Sequence, residues 1–351
     1  MHLVISGYYG FNNVGDEAIL FSIIKTLRKK DPTIELTVLS NDPETTKKAY
    51  AVNAVNRWKL KEICRAIQES DGLISGGGSL LQDKTGFRSI PYYTGIMRIA
   101  MFYKKPVYIY AQGIGPVSRK FNKWLVRNTL QRATEITVRD ERSLQLLKEM
   151  GVNRDITVVP DPVLSLDAQS FSCNWLKNIQ ISFPFVTVAI RDWPSKFDFK
   201  KEIAASLDAI VKKGYSVVFV PMHENVDEQA SEDVAHLMKE KSVVAPGDLS
   251  IEEKIALIGE SDLLIGSRLH SLIFATITYT PFLALSYDPK IDAFASSAEQ
   301  PVIGHVEENN WNKDTLIKAS IHTLMHKSFI EDQLKNKVKK WRELSLTTLK
   351  F

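Results

Sequence analysis

Short apolar runs and stretches of helical periodicity alternate along this chain, and a chain of that pattern folds most simply around parallel sheets covered by helices on both faces. Strand-like runs lie at 3–6, 34–39, 72–75, 107–111, 136–138 and 156–159. Between the first two, Ile19, Leu20, Ile23, Ile24 and Leu27 recur at helical spacing and form one apolar face. The alternation lapses after Pro160, Asp161 and Pro162 for roughly 20 residues up to Pro184, a proline-bounded interruption suited to an interdomain linker. It then restarts, with strands at 185–190, 216–220, 243–244, 263–265 and 282–285 and helices near 199–213, 227–240, 251–260 and 268–277. Ser250 followed by Glu253 marks one helix start as a capping box. The expected architecture is α/β: two Rossmann-like domains facing a cleft, at 1–165 and 180–310, followed by a helical tail at 311–351.

A length of 351 residues suits two cores rather than one. Composition, at 44% hydrophobic and 25% charged, excludes a disordered or fibrous chain, and a net charge of +4 gives no sign of nucleic acid binding. Cys64 and Cys173 lie far apart and have neither disulfide-framework nor metal-site spacing, so a reducing compartment and no metal are expected. With strand pattern from residue 3 and no apolar stretch of membrane-spanning length, the expected location is the cytoplasm.

The polar clusters follow predicted strands, where parallel sheets bind ligands. The first runs from Gly7 through Gly10, Asn13 and Gly15 to Asp16 and Glu17. Its glycines are not spaced as in a dinucleotide loop, and its acidic helix start repels phosphate, so it suits sugar hydroxyls better. Gly76, Gly77 and Gly78 follow the strand at 72–75, where they either admit a ligand or neighbouring backbone or make a tight turn into a helix. Gln112, between Ala111 and Gly113, lies in a third loop of the same kind. Arg139 ends the strand at 136–138 and either reaches an anion or pairs internally with a carboxylate. In the second half, Arg191 and His223 follow the first two strands. Ser267, Arg268 and His270 fall where the strand at 263–265 turns into a helix, with Ser267 expected as N-cap and Arg268 and His270 in the first turn. Helix amides, the helix dipole and a guanidinium together favour a phosphate or carboxylate there. The dipole favours neutral imidazole at His270, and a bound phosphate dianion favours the protonated form, which makes His270 a proton donor when the anion is present.

Taken together, the blocks at 7–17, 75–83, 111–116, 138–141, 161–162 and 267–270 resemble the polysaccharide pyruvyl transferase family, and within it most closely the cell-surface-anchoring enzymes of Gram-positive bacteria. The resemblance implies a fold like that of the GT-B glycosyltransferases. It implies transfer of pyruvate from phosphoenolpyruvate, as co-substrate and with no cofactor, onto two hydroxyls of one sugar. For the anchoring subgroup the acceptor would be N-acetylmannosamine in a secondary cell-wall polysaccharide precursor on a lipid diphosphate, the product helping to anchor S-layer proteins. That chemistry needs an acid, a base and cations. His270 is assigned as general acid and Asp16 as the residue that orients or deprotonates an acceptor hydroxyl. Donor binding falls to Arg268, Ser267, Arg139, Arg191 and His223, and acceptor binding to Asn13, Gly15, Glu17, Gly76, Gly77, Gly78 and Gln112. A nucleotide-sugar glycosyltransferase and a non-catalytic glycan-binding protein of the same fold are the competing readings. The Lys- and Arg-rich tail around Lys335, Lys339 and Lys340 is either a peripheral contact with the cytoplasmic membrane face or a solvated helix face.

Overall fold

A computed structural model describes residues 1–347 apart from positions 85, 87 and 180. The apolar runs form parallel strands that are buried almost continuously, as strands covered on both faces must be. The first sheet contains β1 (His2–Tyr9), β2 (Glu35–Ser40), β3 (Asn53–Asn56), β4 (Gly72–Ser75), β5 (Gly78–Leu81), β6 (Val107–Ile114), β7 (Glu135–Val138) and β8 (Thr157–Val158). Its order is β3-β2-β1-β4-β6-β7-β8, with β5 pairing to the far end of β6. The second sheet contains β9 (Phe185–Ala189), β10 (Ser216–Phe219), β11 (Val243–Val244), β12 (Leu264–Gly266), β13 (Phe282–Ser286) and β14 (Val302–His305), in the order β11-β10-β9-β12-β13-β14.

Both orders reverse beside the first strand of the sheet. Strands β2 and β3 lie to one side of β1 and β4 to the other; β10 and β11 lie to one side of β9 and β12 to the other. Ligands of open α/β sheets bind beyond the carboxyl ends of the strands at such a reversal. That rule selects the loops after β1 and β4 in one sheet and after β9 and β12 in the other.

Compact contact divides the chain into one unit of Met1–Leu166 plus the chain from Trp341 onward, and a second of Asp167–Lys340. Helix Lys313–Met325 belongs to the second unit, and helix Lys327–Thr347 runs from the second into the first. The latter helix buries Leu334 and Val338 and ties Lys337 to Glu299 at 2.8 Å, while Lys335, Lys339 and Lys340 stay exposed.

Local chemistry sets the helix starts. Asn13, Asp140 and Asp198 cap with side-chain oxygens, and Ser250 with Glu253 closes the expected capping box. Two loops expected from the sequence are strands instead. The glycines at 76–78 lead into β5 rather than a helix, and Gln112 and Gly113 lie within β6, which continues past the expected end at 111. The pattern hid this because β6 carries a bulge: Ala111 has φ 46°, and the pairing with β7 shifts between Ile109 and Gln112.

In the second unit a buried amine ties two edge loops. Lys254, on helix Ile251–Gly259, donates to Pro221 O at 2.9 Å and Gly247 O at 3.0 Å. Burial pushes its ammonium down to about 8, against the pull of Asp248, Glu228, Asp227 and Glu224. The folded chain therefore holds this proton less tightly than the unfolded chain, so folding stability rises as pH climbs from about 8 towards 10.5. Urea unfolding of wild type and Lys254→Met across that range is expected to show the rise in wild type and its loss in the variant.

Candidate functional site

In the first unit the loop after β1 is organised by a buried tyrosine. Tyr9 is fully buried, and the chain makes room for it with glycine: a Cβ at Gly7 would lie 2.2 Å from the ring, and one at Gly76 2.2 Å from Tyr9 Oη. A Cβ at Gly77 would meet Ile19 at 2.9 Å. The glycines at 76 and 77 thus admit this chain's own side chains, which is the close-packing use of glycine.

Asn13 is the N-cap of helix Val14–Lys30, its Oδ1 accepting from Gly15 N at 3.1 Å. Glu17 turns back into the loop and accepts from Gly10 N and Tyr50 Oη, both at 2.7 Å. Burial pushes its carboxyl up despite those hydrogen bonds. Asn13, Gly15 and Glu17 therefore build the loop. Asp16 is half-buried in the first turn, with Oδ1 2.9 Å from where a Cβ on Gly78 would stand. Burial, and after it the Asp16 carboxylate, pushes up the Tyr8 and Tyr9 hydroxyls.

A second organiser has no signal in the sequence. Arg57 is 4% exposed, donates through Nη1 to Gly7 O at 2.9 Å, and lies within 5.9 Å of the ring centres of Tyr8, Phe11, Trp58, Tyr92 and Tyr93. Its partners come from three separate segments and meet only when β1, β3 and the helix Ser89–Phe102 assemble. Cation–π contacts of this kind contribute about 1–2 kcal/mol each when desolvated, so Arg57 holds the loop by both charge and shape.

Arg139 takes the internal alternative. Its guanidinium donates to Ser79 Oγ at 2.7 Å and lies 3.8 Å from Asp161 and 3.7 Å from Asp140. A Cβ on Gly113 would stand 2.8 Å from Arg139 Nε, so the glycine clears its path. Gln112 is fully buried beneath the glycine turn, donating to Ser75 Oγ at 3.2 Å and Gly76 O at 3.4 Å.

In the second unit, β12 is clasped to β9 just beyond the reversal. Ser267 N donates to Ala189 O at 2.8 Å, and Ser267 Oγ accepts from Arg191 N at 2.9 Å. With both groups committed to β9, Ser267 does not cap the helix. The N-cap is Arg268, in an extended conformation, and the helix runs Leu269–Ile277. His270 is its second residue and half-buried.

The two arginines on either side of this clasp, Arg191 and Arg268, differ in charge environment. Arg268 forks onto the carboxylate of Asp227, with Nε to Oδ2 at 2.8 Å and a close contact from Nη2 to Oδ1. Asp227 is fully buried on helix Val226–Leu237. A bidentate pair neutralises the guanidinium expected to hold an anion. Arg191 has no ion pair among the described residues. Its guanidinium sits 5.2 Å from the ring centres of both Trp193 and Tyr287, whose rings are 4.4 Å apart and tilted by 30°, and Nη1 donates to Tyr287 Oη at 3.2 Å. His223 lies after β10, its Nδ1–H donating to Glu224 O at 2.7 Å. Asp227 and Tyr287 were not legible in sequence, because each acts only by meeting an arginine far away along the chain. No group of three His, Cys, Asp or Glu among the described residues is arranged to hold a metal.

The contact between Gly76 and Tyr9 is testable. Gly76→Ala forces a methyl onto Tyr9 Oη and is expected to cost about 1–3 kcal/mol. Tyr9→Phe removes an oxygen that is buried without a hydrogen-bond partner and is expected to be nearly neutral. The double variant is expected to recover most of the loss, a coupling that urea titration of all four proteins measures.

Comparison with known proteins agrees with this geometry. The Anabaena protein Alr3699/HepE, solved with UDP-glucose, superimposes with a TM-score of 0.65 at 12% identity, covering 99% of each chain. The UDP-GlcNAc 2-epimerase of Neisseria meningitidis, solved with UDP-GlcNAc, gives 0.64 at 13% identity over 99% of this chain and 100% of that one. At such identity the likeness is one of fold, the GT-B-like α/β class expected from the sequence. In sequence the chain is 22% identical to the amylovoran biosynthesis protein AmsJ of Erwinia amylovora, over 83% of this chain and 84% of that protein. The polysaccharide pyruvyl transferase profile matches residues 13–289, a span that takes in the loop at Asn13 and Asp16 and reaches past Arg191, His270 and Tyr287, and the chain belongs to that family.

Proposed function

We propose that the protein transfers pyruvate from phosphoenolpyruvate onto two hydroxyls of a sugar in polysaccharide biosynthesis. The observation that carries the reading is the edge of the second sheet at its reversal. There Arg191, a cation held by aromatic rings and, among the described residues, by no carboxylate, stands bonded through its backbone to Ser267, three residues before His270. Such a cation suits the carboxylate or phosphate of an enol phosphate, and Arg268, already paired, holds helix Val226–Leu237 to this edge. Arg191 rather than Arg268 is therefore the leading donor ligand, with Ser267 positioning it and His223 at the neighbouring loop. Arg139, committed to Ser79 and two carboxylates, has a lesser claim.

In this scheme His270 protonates the methylene carbon of phosphoenolpyruvate, and cationic character builds at the adjacent carbon. One sugar hydroxyl adds there. The second hydroxyl then displaces phosphate as the carbon–oxygen bond to it breaks. Of the two hydroxyl protons, one restores His270 and the other leaves on phosphate, so the reaction needs no redox partner. Asp16 in the first unit, a half-buried carboxylate in the first turn of the helix that follows β1, orients or deprotonates an acceptor hydroxyl. An N-acetylmannosamine unit of a lipid-diphosphate-linked cell-wall precursor is the proposed acceptor, in line with the resemblance to the surface-anchoring enzymes, and the cytoplasm is the proposed site of action.

His270→Gln is expected to lower turnover about 100-fold or more while phosphoenolpyruvate binding, read by calorimetry, stays within a few-fold. Arg191→Met is expected to weaken that binding about tenfold or more, whereas Asp16→Asn is expected to lower turnover and leave it in place. Donor assays separate the readings. Turnover with a nucleotide sugar and none with phosphoenolpyruvate would replace this proposal with glycosyl transfer, the donor class seen in the solved structures with UDP-sugars. Full function in the His270 variant would replace it with glycan binding.

A further inference from the structure

From residue 84 to residue 134 the chain carries ten Lys and Arg and no Asp or Glu, although basic and acidic residues are nearly balanced overall at 45 and 41. Part of this stretch forms a surface on the first unit. Helix Lys120–Leu130 buries Asn122, Leu125, Val126, Thr129 and Leu130 and leaves Phe121 and Trp124 outside, 63% and 51% exposed. Their rings stack at 6.0 Å, and the Arg98 guanidinium lies 5.6 Å from Trp124, anchored by a bond to Thr129 Oγ1 at 3.1 Å. Arg119, Lys120 and Lys123 are exposed around the pair. The nearest preceding acid, Asp83, is tied to the start of this helix: its carboxylate accepts from Ser118 N, Arg119 N and Asn122 Nδ2 at 3.0–3.1 Å.

Exposed aromatic bodies framed by cations are poorly served by water and well served by the headgroup layer of an anionic bilayer. No described helix is long and apolar enough to cross a membrane, so the contact would be interfacial. We propose that helix Lys120–Leu130 docks the protein on anionic lipid, with Phe121 and Trp124 entering the headgroup layer and Arg119, Lys120 and Lys123 meeting lipid phosphates. The helix follows β6, so its N-terminal turn lies at the carboxyl edge of the sheet that also carries Asp16 and the glycine turn. If the acceptor is lipid-linked, as the proposed function has it, this surface brings that edge to the membrane. The proposal moves the lipid contact away from the C-terminal helix, whose packing face is already spent on Leu334 and Val338.

Cosedimentation of the intact protein with phosphatidylcholine vesicles, with and without phosphatidylglycerol, tests it. Binding is expected only with the anionic lipid and is expected to weaken as salt rises. Phe121→Ala with Trp124→Ala, and separately Lys120→Glu with Lys123→Glu, are each expected to lower the partition coefficient about tenfold or more. Charge reversal at Lys335, Lys339 and Lys340 is expected to change it by less than about twofold. Undiminished binding by both helix variants, or no binding of wild type to anionic vesicles, would overturn the proposal. The Lys120/Lys123 pair decides the matter should the aromatic variant prove unstable in a thermal melt. Vesicle binding needs no substrate, and all these variants should turn over a lipid-free acceptor at the wild-type rate. A protein that binds vesicles yet transfers no pyruvate would therefore reject the enzymatic reading and leave this surface standing.

Discussion

Parallel pairing on both sides of a first strand is the constraint from which the rest of this structure follows. β4 pairs with β1 opposite β2, and β12 pairs with β9 opposite β10, and open α/β sheets bind ligands beyond the strand ends at such a reversal. The carboxyl edges at those reversals are where the glycines, Asp16, Arg191 and His270 lie. In the second unit the pairing is extended by side chain as well as backbone: Ser267 closes onto both Ala189 O and Arg191 N. That clasp delays the helix to Leu269 and so decides where His270 stands.

Desolvated cations supply the second ordering principle. Burying a guanidinium is costly unless its charge and donors are met. The charge of Arg57 is met by five rings and its Nη1 and Nη2 by Gly7 O and Tyr93 Oη, Arg139 is met by Ser79, Asp140 and Asp161, and Arg268 by Asp227. Each thereby fixes a loop at a sheet edge. Among the described residues Arg191 is met by rings and a phenol and by no carboxylate, and these orient the guanidinium without cancelling its charge. Partners thus separate three of these four arginines, whose charge or donors are met by rings, carboxylates and backbone, from Arg191, which keeps its charge unpaired among the described residues.

Much of this was legible beforehand. Runs such as 72–75 and 243–244 read directly as strands because they are apolar, short and bounded by turn residues. β3 was not read, since Asn53–Asn56 is half polar and only partly buried, and its strand character comes from pairing with β2. β5 and the end of β6 were hidden by the bulge at Ala111 and by Gly76, Gly77 and Gly113, which signal a loop in sequence but here make way for Tyr9, Ile19 and Arg139. The cap at Asn13 followed from local rules, whereas the one expected at Ser267 failed because a neighbouring strand competed for the same hydroxyl.

By itself the sequence determined the α/β class, the succession of strands and helices, the rim position of the polar clusters and the family to which they belong. These depend on periodicity and on local residue order, which act over a few turns of chain. Only the tertiary structure decided which polar groups are spent on architecture and which remain for chemistry. Glu17 is taken by Tyr50, Arg268 by Asp227 and Arg139 by Asp161, partners 33, 41 and 22 residues away. A side chain's charge is written in its residue type, but whether that charge is cancelled depends on what the fold brings within a few ångströms of it.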